Sequence, residues 1–150
     1  MRGRGLSRAA AVLGTGGLLA VSALTGCSEE PSTSAGPVST APGVGQVTEA
    51  SDGVQEITLQ TQDDYVFTPD SFTVEPGRVR VTVVNAARDM THNLRFTPGK
   101  GPEPITAEIS LLAPGQEMTI EFEVREPGDH EFVCTFHTQL NQVGTMTVSG

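Results

Sequence analysis

The sequence predicts an all-β sandwich of about seven to eight strands. Apolar and polar residues alternate with a period of two through much of the second half of the chain. Pro-Gly dipeptides separate these segments at short intervals, and no window of the 150 residues shows a convincing helical period. Short, evenly spaced strands of this kind are typical of two packed sheets.

The strand candidates follow one another from residue 54 to the end of the chain. In order they are 54–61, 64–67, 71–75, 78–83, 91–97, 105–112, 117–124, 129–135 and 143–149. The clearest is 117–124, where every second residue from Met118 to Val124 is apolar and the residues between them are threonine or glutamate. This alternation predicts an apolar inner face and an acidic outer face. Pro-Gly turns stand at 76–77, 98–99, 114–115 and 127–128.

The first 26 residues are predicted to be an export signal rather than part of the fold. Three arginines form a basic start, and an apolar run rich in small residues follows from residue 9 to residue 24. Leu24-Thr25-Gly26-Cys27 resembles a bacterial lipobox, in which the chain is cut before the cysteine and the cysteine is lipidated. The apolar run is shorter than the about 20 residues of a membrane-spanning helix. An ordinary secretory signal with an incidental Cys27, or an uncleaved anchor, is the alternative.

Residues 27–53 are predicted to be a lipidated cysteine followed by a flexible tether. The segment is rich in Ser, Thr, Pro, Gly and Ala and has no apolar periodicity. A flexible chain of this length has an r.m.s. reach of about 25–30 Å. We therefore expect one domain at residues 54–150, held outside the cytoplasm by a lipid anchor in the bacterial cell membrane.

The mature chain is expected to be strongly acidic. Removal of the leader removes three of the nine Lys and Arg residues and none of the 18 acidic residues, so the formal net charge changes from −9 to −12. This charge argues against nucleic acid as a partner and against electrostatic binding to anionic lipid. A cationic partner and simple solubility are equally compatible with it.

One thiol and two imidazoles predict a metal site. If Cys27 carries lipid, Cys134 has no disulfide partner, and a free thiol in an oxidising compartment is reactive unless something binds it. Cys134 and His137 lie in one segment and His92 in another. A His2Cys set of this kind is typical of a trigonal blue-copper site, whose weak axial ligand is Met or Gln. Taken singly, a cysteine or a histidine is more often an ordinary packed residue.

Strand parity predicts that these side chains meet at one end of the sandwich. His92 begins a strand and has the parity of the apolar residues that follow it, whereas Cys134 ends another strand with the parity of Phe132. His137 follows in the loop before the last strand. His130 shares the parity of Cys134, so we expect it to be a buried structural residue.

Two segments around these residues match a known pattern. Val83-Val84-Asn85, continued by Met90-Thr91-His92-Asn93, matches a strand and loop that end at a first His ligand. Residues 126–134, Glu-Pro-Gly-Asp-His-Glu-Phe-Val-Cys, match a strand that leads into a Cys ligand. Plastocyanins then read Cys-x2-His-x4-Met and Val-Gly, and this chain reads Cys134-x2-His137-x4-Gln142 and Val-Gly. Residues 54–150 therefore resemble a cupredoxin of the plastocyanin type.

The resemblance implies a Greek-key β-sandwich that binds one type 1 copper and cycles between Cu(II) and Cu(I). It also implies that electrons pass to other redox proteins through the exposed edge of His137. Leu140, Met90 and Phe136 are candidates for an apolar docking rim, which suits small and transient contacts. Arg88 and Lys100 lie in loops that could modulate docking.

Gln142 is the predicted axial ligand because it stands where the family has Met, and Val-Gly follows it in register. A three-ligand site, a backbone oxygen and Met90 stay open as alternatives. Met118 and Met146 are predicted to lie in the core, and a shorter spacing would place Leu140, which cannot bind, at the axial position. An amide oxygen is a harder donor than a thioether, so we expect a lower reduction potential than in a Met-ligated relative.

Electron transfer is preferred to catalysis because four protein ligands leave no open position for a substrate. The chain is therefore not expected to be an enzyme, although a centre without Gln142 bound could admit a small ligand such as nitric oxide. A copper storage or delivery module and a metal-free scaffold domain also stay open. Asn93 and Thr135 are candidates for partners that orient the ligands, or are polar residues at strand edges.

Overall fold

A computed structural model describes residues 40–150 of the chain. The predicted signal at 1–26, Cys27 and the first part of the tether lie outside the described residues. Between residues 40 and 150 the chain forms ten β-strands and one short 3-10 turn, and it contains no α-helix. In this range, therefore, no helix is long and apolar enough to cross a lipid bilayer.

The strands form two sheets of five strands each. In chain order they are β1 (Thr48–Glu49), β2 (Gln55–Thr61), β3 (Phe67–Thr68), β4 (Ser71–Val74), β5 (Gly77–Asn85), β6 (His92–Phe96), β7 (Glu108–Leu112), β8 (Glu117–Val124), β9 (Gly128–Val133) and β10 (Val143–Val148). The first sheet has the order β1-β2-β5-β8, with β3 also paired to β2, and the second has the order β4-β10-β9-β6-β7. The pairs β2–β5 and β4–β10 are parallel, and the other pairs are antiparallel. The predicted all-β sandwich is confirmed. Each strand from β2 to β10 overlaps one of the strand candidates, and the two-residue β1 overlaps none.

Phe132 on β9 lies at the centre of the core, two residues before Cys134. Its ring packs against Phe67, Phe72 and Phe96, with ring centroids 5.1, 5.9 and 6.1 Å apart, so it joins strands of both sheets. Gly144 is its cross-strand neighbour on β10, and a Cβ atom there would lie 2.3 Å from the Phe132 ring. Gly144 therefore leaves room for the Phe132 ring. This ring lies near the end of β9, two residues before Cys134.

Part of the predicted tether, between Ala41 and Glu49, contacts strand β2 of the first sheet. Thr48–Glu49 pairs with β2, and Val44 forms a bridge with Thr58. The Ala41 N–H donates to the Gln60 side chain at 2.8 Å. An open sheet edge offers unpaired backbone groups to any neighbouring chain, so this pairing requires no apolar pattern.

Four smaller differences concern the strands. Residues 62–66 form a turn before β3, β7 begins at Glu108 rather than at 105, and β9 ends at Val133 rather than at 135. Met118 was expected in the core but is 43% exposed. It lies near the start of β8, an edge strand covered by a neighbouring strand on one side only.

Asn85, the last residue of β5, holds the loop that leads to His92. Its side-chain Nδ2 donates to the Met90 and Leu112 carbonyls at 2.8 and 2.9 Å, and its Oδ1 accepts from the Ala87 N–H at 2.9 Å. The residue is fully buried. The amide therefore replaces the backbone pairing that the chain loses where it leaves the sheet.

We expect Asn85→Ala to lower the free energy of unfolding by about 2–4 kcal/mol, because three hydrogen bonds are lost and buried partners are left unsatisfied. Chemical denaturation, monitored by circular dichroism, measures this change. A change below about 0.5 kcal/mol, the range typical of surface substitutions, would show that the loop is held by other contacts.

Candidate metal centre

The structure brings His92, Cys134, His137 and Gln142 together at one end of the sandwich, called here the ligand end. His92 is the first residue of β6, Cys134 directly follows β9, and Gln142 directly precedes β10. His92, Cys134 and Gln142 are fully buried, and His137 is half-buried. The three predicted donors His92, Cys134 and His137 thus lie close together. The amide of Gln142 is buried with them, and only His137 reaches the surface.

The spacing of the donor atoms fits a trigonal metal site. The Cys134 Sγ lies 3.4 Å from the His137 Nδ1 and 3.9 Å from the His92 Nδ1, and all three donor residues have ligand atoms within 4.8 Å of one another. With bonds of about 2.0 Å to an imidazole nitrogen and about 2.3 Å to a thiolate, a trigonal arrangement separates sulfur from nitrogen by about 3.7 Å. The residues could therefore hold a metal ion with little movement.

The Gln142 side-chain amide lies beside both histidines. Its Oε1 lies 3.0 Å from the Nδ1 atoms of both histidines. Its Nε2 donates to the Val66 carbonyl at 3.5 Å, which turns the amide oxygen, rather than the nitrogen, toward the imidazoles. An oxygen held in this way stands ready as a weak fourth ligand.

The backbone between Cys134 and Gln142 is closed by its own hydrogen bonds. The His137 N–H donates to the Cys134 carbonyl at 3.0 Å, and the Cys134 N–H donates to the Gln142 carbonyl at 3.0 Å. A 3-10 turn at Thr138–Leu140 follows, and Asn141 reverses the chain with a φ of 60°. Asparagine tolerates this left-handed conformation better than most residues, so the spacing Cys-x2-His-x4-Gln becomes a compact loop.

The environment favours the neutral form of His92. Burial lowers the pKa of this imidazole, and the nearby His137 ring lowers it further, although the contact with Gln142 acts in the opposite direction. A metal ion binds the neutral imidazole, so burial prepares His92 for the bound state.

The profile of the family described as copper-binding proteins of the plastocyanin/azurin family matches residues 54–149. The chain belongs to this family. A plastocyanin of Nostoc punctiforme is 33% identical over 92 residues, which cover 56% of this chain and 65% of that protein. The matched region thus spans slightly less than two-thirds of that relative.

Solved structures support the same fold. The sodium-dithionite-reduced auracyanin of Roseiflexus castenholzii has a TM-score of 0.56 and 24% identity, covering 63% of this chain and 97% of its own. A structure of auracyanin B has a TM-score of 0.56 and 22% identity, covering 75% of this chain and all of its own. At these identities the likeness shows the fold alone. The predicted cupredoxin-like Greek-key sandwich is confirmed, and family and donor set agree on one type 1 copper as the cofactor.

In this cupredoxin, Asn93 and Thr135 connect the two ligand-bearing segments. The Thr135 N–H donates to the Asn93 Oδ1 at 2.7 Å, and the Asn93 Nδ2 donates to the Thr135 Oγ1 at 2.6 Å. Each residue directly follows a donor, His92 or Cys134. The two reciprocal bonds set the distance between imidazole and thiol, which favours the orienting role over that of isolated edge residues.

His130 faces the interior of the cupredoxin, as its parity predicted. It is 2% exposed and lines a pocket of about 180 Å³, together with residues of β6 and of the loop between β6 and β7. Gly101 lies directly against its ring, since a Cβ atom there would stand 2.5 Å from the His130 Nδ1. The residue packs in the core and is not among the candidate ligands.

Sequence reasoning missed the turn at residues 62–66. The Asp63 carboxylate accepts the Arg88 N–H at 3.1 Å, and the Val66 carbonyl accepts from the Gln142 side chain. The Tyr65 ring lies beside the His137 ring. These residues are far from the ligands along the chain and match no motif. The one local signal was Asp63-Asp64, which is typical of a turn.

Proposed function

We propose that this protein is an electron carrier, tethered to the membrane by lipid on Cys27, which cycles one type 1 copper between Cu(II) and Cu(I) outside the cytoplasm. In this proposal His92, Cys134 and His137 bind the metal, and Gln142 is the weak axial ligand. The main observation in support of this proposal is that the four side chains meet at one site and are buried, apart from the half-buried His137.

A closed donor set suits a carrier better than an enzyme. Catalytic metal sites keep a coordination position open for substrate or water, and here the Gln142 oxygen lies close to both imidazoles. Copper, when bound, supplies a one-electron oxidation and reduction. The closed backbone loop and the Asn93–Thr135 bonds hold the donor atoms in one arrangement, so little of the protein has to rearrange when the charge changes.

The surface around His137 supports docking by a redox partner. Phe136 and Leu140 flank it in the same loop, each 52% exposed, and Val66 nearby is 43% exposed. Met90, the third member of the expected rim, is half-buried. A small apolar surface on an acidic protein suits brief contact with another redox protein that carries basic residues at its rim.

The course of the described chain supports a short tether. Going from Glu49 back to Ala41, the chain runs along β2 toward the ligand end, past Glu56, Thr58 and then Gln60. If Cys27 carries the lipid, the 13 residues from 28 to 40 span at most about 45 Å when fully extended. The tether would therefore keep the ligand end close to the membrane surface, where membrane-bound partners lie.

A spectrum of the protein tests the central proposal. After addition of one equivalent of Cu(II), we expect an intense blue thiolate-to-copper band and an EPR signal with narrow copper hyperfine splitting. Both should disappear on reduction and return on oxidation through several cycles. A colourless or rapidly bleached sample would instead favour the storage, delivery or scaffold functions.

We expect Cys27→Ser to lose its covalent lipid without changing the blue band. The variant loses the thiol that lipidation requires but keeps the apolar leader, which can itself hold the chain at the membrane. Incorporation of labelled fatty acid into the expressed proteins measures the loss. A parent protein that takes up no labelled fatty acid would contradict lipid anchoring and favour an ordinary secretory signal or an uncleaved apolar anchor.

A further inference from the structure

The turn at residues 62–66 contacts the metal centre and the loop before His92 at three separate points. The Asp63 carboxylate accepts the N–H groups of Arg88 and Asp89, in the loop that leads to His92. These bonds lower the pKa of Asp63 and keep its carboxylate ionised. The Val66 carbonyl accepts from Gln142. Between them, Tyr65 packs against His137 with ring centroids 5.1 Å apart and an interplanar angle of 66°.

Tyr65 adopts a backbone conformation that is costly for an aromatic residue. Its φ is 58°, in the left-handed region, which glycine enters freely and bulky residues rarely enter. The Asp64 Oδ1 accepts the Val66 N–H at 3.2 Å and stabilises the turn around this conformation. A strained tyrosine where glycine would be favourable indicates that its side chain has a role.

The ring, rather than the hydroxyl, makes the visible contact. Within residues 40–150 the Tyr65 hydroxyl has no hydrogen-bond partner, whereas the ring meets His137 edge to face. Such pairs of rings prefer this geometry and gain energy beyond simple burial.

His137 needs such support more than the other donors do. His92 and Cys134 are fully buried and packed on all sides. His137 is half-buried, and the 3-10 turn that follows it contains no buried residue. Its ring contacts the rings of Tyr65 and His92, with centroids 5.1 and 4.9 Å away. Within residues 40–150 these are its two aromatic ring contacts, so removal of Tyr65 removes one of them.

We propose that Tyr65 is a positioning residue, which holds the His137 imidazole in the orientation required to bind copper and slows its departure from the metal. The inference rests on the proposed function, because it takes His137 as a ligand. The ring contact itself exists in the protein without metal, so it can be tested separately.

The test compares Tyr65→Gly with Tyr65→Phe. Glycine removes the ring and relieves the backbone strain but adds backbone freedom, so Tyr65→Asn, which lacks the ring and accepts the same conformation, is compared with it. Phenylalanine keeps the ring and removes the hydroxyl. His92 serves as an internal control, because its ring contacts His137 and no ring contact joins it to Tyr65.

In the metal-free protein, NMR of isotopically labelled histidines measures ring mobility. We expect Tyr65→Gly to shift the His137 ring signals and increase their motion, with His92 unchanged and Tyr65→Phe like the parent protein. In the reduced, copper-loaded protein, we expect a Cu(I) chelator to remove the metal about two- to tenfold faster from Tyr65→Gly, the range that one aromatic pair contributes.

Unchanged His137 mobility in Tyr65→Gly would overturn the proposal, as would Tyr65→Phe behaving like Tyr65→Gly. If Tyr65→Gly does not fold, Tyr65→Asn takes its place, since asparagine accepts the left-handed conformation and has no ring. A protein that binds no copper would contradict the proposed function, but the NMR comparison would still decide whether Tyr65 orders His137.

Discussion

Replacement of Cys134 by serine is expected to abolish the blue absorption band completely. The thiolate is the donor whose charge transfer to copper produces the colour, and a serine hydroxyl is not ionised at neutral pH. Copper affinity should fall by more than the about 10–100-fold that loss of an outer-shell partner costs. Titration with Cu(II), followed by absorption and EPR, measures both effects.

The second cysteine provides the matched control. Cys27→Ser makes the same chemical change in the leader region and should leave the band intact. Circular dichroism must show that Cys134→Ser still folds, because Cys134 is fully buried and a hydroxyl there costs about 1–3 kcal/mol. A blue band that persists in the folded variant would contradict Cys134 as the ligand.

Replacement of Gln142 by methionine is expected to raise the reduction potential. A thioether is a softer donor than an amide oxygen and favours Cu(I). The Gln142 oxygen lies 3.0 Å from both imidazole nitrogens, so a change of donor here acts directly on the metal site. A tenfold to hundredfold change in preference for Cu(I) corresponds to a rise of about 60–120 mV. Direct voltammetry of the copper-loaded protein measures it.

Gln139 offers a control for this experiment. It is an exposed glutamine in the 3-10 turn of the same loop, and Gln139→Met makes the same chemical change away from the donor atoms. We expect no change of potential in that variant. An unchanged or lower potential in Gln142→Met would remove Gln142 from the axial position and leave the three-ligand site or a backbone oxygen.

Much of the fold could be predicted from the sequence because burial in a sheet alternates locally. The pattern at 117–124 and the Pro-Gly dipeptides identified strands and turns without any knowledge of their partners. The same reasoning placed Met118 in the core, where the structure has it 43% exposed. Alternation shows which residues share a face of a strand, but not how far the opposite sheet extends over that face.

Two features could not be predicted in this way: the end of the tether, and the contact between the turn at residues 62–66 and the metal centre. Val44, Thr48 and Glu49 pair with β2 through backbone groups, which every sequence possesses, so composition does not distinguish this segment from a free tether. Tyr65 and Val66 reach His137 and Gln142 only because β2 ends beside the loop before β10. Such contacts depend on topology rather than on spacing along the chain.

The sequence by itself determined which donor atoms are present and how three of them are spaced, because Cys134, His137 and Gln142 lie within one short loop whose geometry is largely local. Only the tertiary structure decided that His92 joins them, since strand pairing brings β6 beside β9. It also decided that burial lowers the pKa of His92 while His137 stays half-exposed. Burial and proximity between distant segments arise when the two sheets pack, and a linear pattern contains neither.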